Sequence, residues 1–324
     1  IGPTVTQAAG QALGGAWAKY ESNFVTWADK HWATYGADWA SSNFYDRAQI
    51  YYAWWVRTGN PEYWRRATLM AVDYRTKYLE PNNYGSSHHW AQLEGLALHY
   101  WLTGDMASQK AVGRTADVLG SYYRKGYLSN TNHIDMESRI QARSLQAFLL
   151  AWETQAPGGG NYTPGTWGGH LPLMLTQILA AQQSSGAFLW GWGMGCNASL
   201  NYMNGLLNDA MIRYHQRFQA DARILASVQA NADWLWATQW RADKSFQYQS
   251  VFCAKNNSGP AATPDLNNLY TTTYSWLYQQ TGRAAYRQTA DLLFAEGVAR
   301  AYLPGPKQFN ESYTSSYKFL SYRQ

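Results

Sequence analysis

The chain is 324 residues long, 46% hydrophobic and 15% charged, with 17 Trp and 25 Tyr, which is length for one large core or two ordinary domains. Its formal net charge of +5 is spread along the chain with no block of Lys or Arg, which argues against a nucleic-acid footprint. No segment approaches the ~18 consecutive apolar residues of a membrane span, and the two cysteines, Cys196 and Cys253, leave open both a disulfide and two free buried thiols.

Taken in order, residues 7–35 read as one helix, with Leu13, Trp17, Tyr20, Phe24 and Trp27 recurring at three and four. Asn43-Phe44-Tyr45-Asp46 opens a second helix that carries Ile50, Trp54 and Trp55. It stops at Thr58-Gly59-Asn60, where glycine suits the left-handed C-terminal position, and Pro61 starts the return helix at its favoured first turn. Tyr84-Gly85-Ser86-Ser87-His88-His89-Trp90 leads into a helix over 88–102, which ends at Thr103-Gly104-Asp105 and returns to Tyr123. The plan repeats over 135–153 and 171–183, over 197–217 and 220–240, and over 267–280 and 284–302, with a third Thr-Gly turn at Thr281-Gly282. Strand patterning is confined to residues 245–252. A Tyr- and Ser-rich tail, 308–324, is placed to close a ring with the N-terminal helix.

This pattern predicts a single all-α domain over 1–324: an (α/α) barrel or incomplete toroid of about five to six helical hairpins, with an open solenoid as the alternative. In a barrel the loops before the forward helices gather at one end, and the positive ends of those helices point there. Those loops carry Asn43, Tyr45, Asp46, Tyr84, His88, His89, Glu94, Asn132, His133, Asp135, Glu137, Arg139, Arg143, Trp190, Trp192, Asn201, Tyr202, Asn256, Asn268 and Tyr270. Asp135, Arg139 and Arg143 fall on one stripe, a spacing that serves either to brace a helix or to grip a substrate carboxylate through a guanidinium. His88 and His89 diverge by about 100° on a helix, so at most one faces the cavity centre, where a histidine can move protons near neutrality. Glu94 is either a buried hydrogen-bonded strut or an acid with a raised pKa. No metal-ligand spacing, phosphate loop, dinucleotide fingerprint or nucleophile elbow occurs, so no cofactor or metal is expected.

The repeated hairpins with Thr-Gly-Asn or Thr-Gly-Asp turns, the aromatic loops, and Ser86-Ser87-His88-His89-Trp90…Glu94 before an inner helix resemble the (α/α)-barrel and toroid carbohydrate-active enzymes, over most of the chain. The Asn-Asn-His signature of alginate-lyase-like toroids is absent. The resemblance implies a polysaccharide lyase or a glycoside hydrolase. As a lyase of uronic-acid polysaccharides, the favoured expectation, the catalytic set is His88, His89, His133, Tyr202, Tyr270, Glu94 and Glu137. The substrate is then held by Tyr45, Asp46, Tyr84, Asn132, Asp135, Arg139, Arg143, Trp190, Trp192, Asn201 and Asn268. A hydrolase would draw a carboxylate pair from Asp46, Glu94, Asp135 and Glu137; a non-catalytic glycan binder needs neither. The expected partner is an anionic poly- or oligosaccharide, with no nucleic acid or membrane, and the expected state a monomer. The start, Ile1-Gly2-Pro3, reads as processed or trimmed, and Trp content and sparing cysteine use point to a secreted or periplasmic protein. Asn161-Tyr162-Thr163 and Asn310-Glu311-Ser312 are glycosylation sequons.

Overall fold

The structure is a computed structural model that describes residues 1–42, 44–124, 137–158, 165–190, 196–255 and 257–324. Among them are α1 (Gln7–Ala12), α2 (Gly15–Tyr35), α3 (Arg47–Thr58), α4 (Pro61–Tyr74), α5 (Leu93–Thr103), α6 (Met106–Arg124) and α7 (Ser138–Glu153). They are followed by α8 (Trp167–Ala181), α9 (Asn201–Arg217), α10 (Ala222–Gln239), α11 (Thr271–Thr281), α12 (Ala284–Arg300), α13 (Pro306–Tyr313) and α14 (Phe319–Arg323). Each forward helix packs on the next, α3 on α5, α5 on α7, α7 on α9 and α9 on α11. Helix α11 meets α14, and α13 returns to α3, which closes an inner ring. The return helices α4, α6, α8, α10 and α12, with α2 against α12, form the outer layer. The chain is therefore an all-α (α/α) barrel whose sixth inner position is filled by the tail.

Burial separates the two layers. Every residue of α9 from Asn201 to Tyr214 is buried, as are 47–54 of α3 and 271–277 of α11, the mark of a helix enclosed on all sides. Outer α4 buries one stripe instead: Tyr63, Arg66, Ala67, Met70, Ala71 and Tyr74. The Thr-Gly turns end the inner helices by one repeated device. The Thr58 hydroxyl donates to the Trp54 carbonyl at 2.6 Å and accepts the Asn60 N–H at 3.1 Å. Thr103 does the same with His99 and Asp105, and Thr281 with Leu277 and Arg283. Gly59, Gly104 and Gly282 then take φ of 71°, 74° and 67°, satisfying carbonyls that would otherwise be left over.

Helices α3 and α5 touch at Gly95. Its N–H donates at 2.7 Å to Oδ2 of Asp46, whose Oδ1 caps α3 by accepting the Gln49 N–H at 3.0 Å. A Cβ at position 95 would lie 2.6 Å from the Ala48 Cβ and 2.7 Å from Asp46 Oδ1. Gly95→Ala is therefore expected to push the two helices apart and cost about 1–3 kcal/mol, read as a lowered denaturation midpoint with an unchanged denaturant slope.

Three expectations change. The first helix is two, because Gly14 and Gly15 adopt φ of 68° and 51° and break the run between Ala12 and Gly15. The helix expected from His88 begins at Leu93; His88–Trp90 is a single tight turn capped by the Ser87 hydroxyl, and Ala91 is extended. Residues 245–252 form no strand. Isolated bridges Trp240–Phe246, Gln247–Ala262 and Leu200–Gln249 hold that segment instead, joined by Cys253–Ser258 beyond it. Asn310 is fully buried, with its Nδ2 donating to the Tyr45 carbonyl at 3.2 Å and its Oδ1 accepting from Arg47 at 2.8 Å, so a glycan there is incompatible with the closed ring. Cys196 and Cys253 form a disulfide with a Cα–Cα distance of 5.6 Å, tying the lead-in of α9 to the loop that follows α10.

Candidate active site at the mouth of the barrel

Several of the inner helices bring a polar group at or near their N-terminal ends. Glu137 is the N-cap residue of α7, yet its carboxylate makes no cap hydrogen bond. Instead its Oε1 accepts from Arg139 Nε at 2.8 Å and lies 3.3 Å from His89 Nε2. Burial pushes this carboxyl up, but the His89 contact and the Arg139 charge outweigh it and hold Glu137 below the usual carboxylate range. Glu311, on α13, shows the opposite balance. Burial dominates, Asp265 adds to it, and Lys307 at 3.9 Å and the Tyr45 hydroxyl offset it only in part, so its pKa rises to about 7. Arg139 lies within electrostatic reach of both carboxyl groups.

Arg143 sits one turn deeper on α7. Its Nη2 donates to the Phe44 carbonyl at 3.1 Å, and its guanidinium lies 5.8 Å from the Tyr45 ring centre. Its buried Nε has no hydrogen-bond partner, and the side chain forms no ion pair among the described residues. The carboxylate within its electrostatic reach is Asp46. Tyr202 completes this side, stacked on Tyr248 at 5.2 Å, its hydroxyl pushed well above the ordinary value by burial.

From Arg143 inward the bore narrows to a volume of about 30 Å³, lined by Asp46, Glu94, Arg143, Asp209 and Arg213, room for a water or two and not for a sugar ring. A sugar ring therefore does not enter the bore. Glu94 belongs to the bore. It pairs with Arg213, which also holds Asp209 at 2.9 Å, and Asp209 holds the buried Lys318 at 2.7 Å. Burial raises the Glu94 carboxyl, but Arg213 and Lys318 overcome that and its pKa falls to about 2. Asp46 lies there too; burial lifts it to about 6 against its two backbone donors.

The mouth thus gathers Tyr45, His89, Glu137, Arg139, Arg143 and Tyr202, with Asp46 just beneath. His88 is buried beside His89, and burial together with the His89 charge lowers its pKa to about 4, so it is neutral at neutral pH. Other residues read as site residues lie elsewhere. Tyr84 stands over outer α6, its ring 5.7 Å from the Lys110 ammonium and 5.9 Å from the Arg114 guanidinium. Asn201 spends its amide on Gln239 at 3.0 Å and the Gln247 carbonyl at 2.8 Å, and Asn268 donates to Ser312 at 2.9 Å. Tyr270 is fully buried, its ring 4.5 Å from Phe246, and Trp190 bridges Ala198 beside the disulfide. These five are positioned as structural groups. Glu94 has the strut geometry rather than that of an acid with a raised pKa. Asn43, Asn132, His133, Asp135, Trp192 and Asn256 lie outside the described residues.

A buried carboxyl group that the sequence reading passed over is Glu311. The signal that could have found it is Gly305-Pro306, a helix start that makes the tail a sixth inner helix with its own mouth-facing turn. Among the described residues no group of three or more His, Cys, Asp or Glu could hold a metal ion.

No protein-family model matches the chain, and no curated protein matches it in sequence. In three dimensions it is similar to the crystal structure of an unsaturated glucuronyl hydrolase specific for heparin, with a TM-score of 0.62 at 11% identity over 88% of this chain and 85% of that one. The likeness is one of fold, the (α/α)6 barrel.

Proposed function

We propose that the chain is an exported glycan-processing hydrolase that acts on an acidic oligo- or polysaccharide, with Glu311 as proton donor and Glu137 as its ionised partner. One observation carries the reading: two buried carboxyl groups, both within electrostatic reach of Arg139, stand in opposite states, one lifted by burial and one held down by His89 and Arg139. Carboxyl groups whose surroundings push their pKa values apart suit an acid and a base or nucleophile. In this chemistry Glu311 gives its proton to the glycosidic oxygen. The bond from that oxygen to the sugar carbon breaks, and the electron pair leaves with the oxygen. The positive charge left on the sugar ring faces Glu137, which attacks it or draws a proton from the incoming water. Arg143 receives the uronate carboxylate. The fold it shares with a hydrolase named for glucuronyl substrates supports the assignment, and fold alone does not carry it. The disulfide supports export, since such bonds persist in oxidising compartments.

A second reading is β-elimination, favoured by the His89–Glu137 contact, in which a partly exposed imidazole is oriented by a carboxylate and could remove the proton next to a neutralised uronate. One assay separates the two. The protein is incubated with uronate polysaccharides and with uronate oligosaccharides, including ones ending in an unsaturated uronyl unit. A hydrolase gives new reducing ends with no gain in ultraviolet absorbance, and absorbance falls where the unsaturated unit is released. A gain in that absorbance establishes the lyase, and retention on a uronate gel with neither signal leaves a binder. In the same panel Arg143→Met is expected to weaken a uronate oligosaccharide about tenfold or more, as loss of a charged hydrogen bond does, and to leave a neutral one unchanged. Equal losses would remove Arg143 from recognition.

A further inference from the structure

Three aromatic side chains that the chemistry above does not use come together on the rim beside His89. Trp39 lies in the turn before α3, Tyr78 in the helical turn Arg75–Leu79 that follows α4, and Trp90 directly after His88-His89. The Trp39 and Tyr78 rings are 4.2 Å apart at 31°, and Trp90 meets them edge-on at 6.3 and 6.0 Å. All three are only partly buried, although rings of this size contribute most when fully enclosed.

Their seating is built from polar contacts. The Trp39 N–H donates to Asp73 Oδ2 at 3.1 Å, and the Tyr78 hydroxyl accepts the Ser87 N–H at 3.4 Å. The Ser87 hydroxyl accepts the His89 N–H at 3.3 Å, and the Tyr74 hydroxyl donates to the Trp90 carbonyl at 2.8 Å. These contacts fix the backbone that carries the rings, which therefore loses little freedom when something lies on them. It is also continuous with the mouth, since Trp90 follows His89, which touches Glu137 and lies 6.3 Å from the Phe44 ring.

We propose that Trp39, Tyr78 and Trp90 form a stacking subsite for a sugar unit of the same glycan chain, away from the cleaved bond. The inference rests on the glycan reading above, and on neither the hydrolytic nor the eliminative chemistry. A sugar ring offers an apolar face and a polar rim, which matches partly exposed indole and phenol rings bordered by Ser87 and by the Lys77–Asp73 pair. Stacking needs no charge, so this subsite selects for chain length and the mouth selects for acidity.

The test is titration calorimetry on the native protein, Trp39→Ala, Trp90→Ala and the ring-preserving Trp39→Phe, with folding checked by circular dichroism. The ligands are a disaccharide and a hexasaccharide from one uronate series and one neutral series. The native protein is expected to bind a hexasaccharide at least tenfold more tightly than the disaccharide. Each alanine variant is expected to lose about tenfold on the hexasaccharide alone, and Trp39→Phe much less. Equal losses on both lengths, or no preference for length in the native protein in either series, overturn the subsite. A length preference that these variants erase in the neutral series, with no binding of the uronate series, keeps the subsite and removes the acidic-glycan reading.

Discussion

Glu311→Gln is expected to lower kcat by about 10²–10⁴-fold, the range for loss of a positioned general acid, with KM close to native. The amide keeps the volume of the carboxyl group and can still accept the Tyr45 hydroxyl, so α13 and the closed ring should persist. It has no proton to give. The pH profile is the sharper readout. With Glu311 near 7 and Glu137 held low, native activity should fall on the alkaline side as pH passes about 7, and the variant's residual activity should lack that limb. A variant that keeps native kcat, or the same alkaline limb, would remove Glu311 from the chemistry. Above pH 7 the substitution should have the opposite effect on stability. The folded pKa of Glu311 lies above the ordinary glutamate value of 4.5, so its contribution is fully present below that value and is lost as pH rises through about 7. At pH 8 the native protein holds a buried anion that the glutamine variant does not, and the variant should melt at the higher temperature.

Arg213→Met is expected to destabilise the fold by about 3–5 kcal/mol, since it removes one member of a buried ion pair and leaves the other without its nearest counter-charge. Arg213 stands between Glu94 and Asp209 on the barrel axis, and Asp209 keeps Lys318 when Arg213 goes. The loss therefore falls mainly on Glu94. Denaturant titration of Arg213→Met, Glu94→Gln and the double variant checks this. The double variant should be more stable than Arg213→Met alone, because the neutral amide introduced by Glu94→Gln asks for no counter-charge. Strictly additive losses would mean that the two side chains do not depend on each other. The native pH dependence follows with its own sign. The folded Glu94 pKa lies at about 2, below the ordinary glutamate value of 4.5, so its contribution is present above pH 4.5 and is lost as pH falls towards 2.

Local chemistry made much of the ring legible. The Thr-Gly turns recur because each inner helix ends by the same hydroxyl and left-handed glycine, and three and four spacing marked the outer stripes. The site was only partly legible. Asp46, Tyr45, His89, Glu137 and the two arginines precede or open inner helices, so their convergence followed from topology. Glu94 looked like an acid because nothing near it in the chain reveals its partner, Arg213, which lies 119 residues away. Lys318 and Asp209 are 109 residues apart and equally silent in any local pattern. Tyr270 and Asn268 begin an inner helix as expected, but the turn from Pro264 to Leu269 seats them against Phe246 and Ser312 instead of over the opening. Glu311 escaped notice because a helix as short as α13, Pro306–Tyr313, announces itself weakly.

The tail that completes the ring has one more effect. Tyr45 and Glu311 belong to the first and last inner positions, and the adjoining Asn310 binds the Tyr45 carbonyl across 265 residues of chain. On the proposed chemistry, the acid and the hydroxyl that steadies it stand on opposite sides of a seam. A chain with every hairpin formed and that seam open would be rich in helix and inert, so competence comes with closure, in the one step that local structure cannot supply.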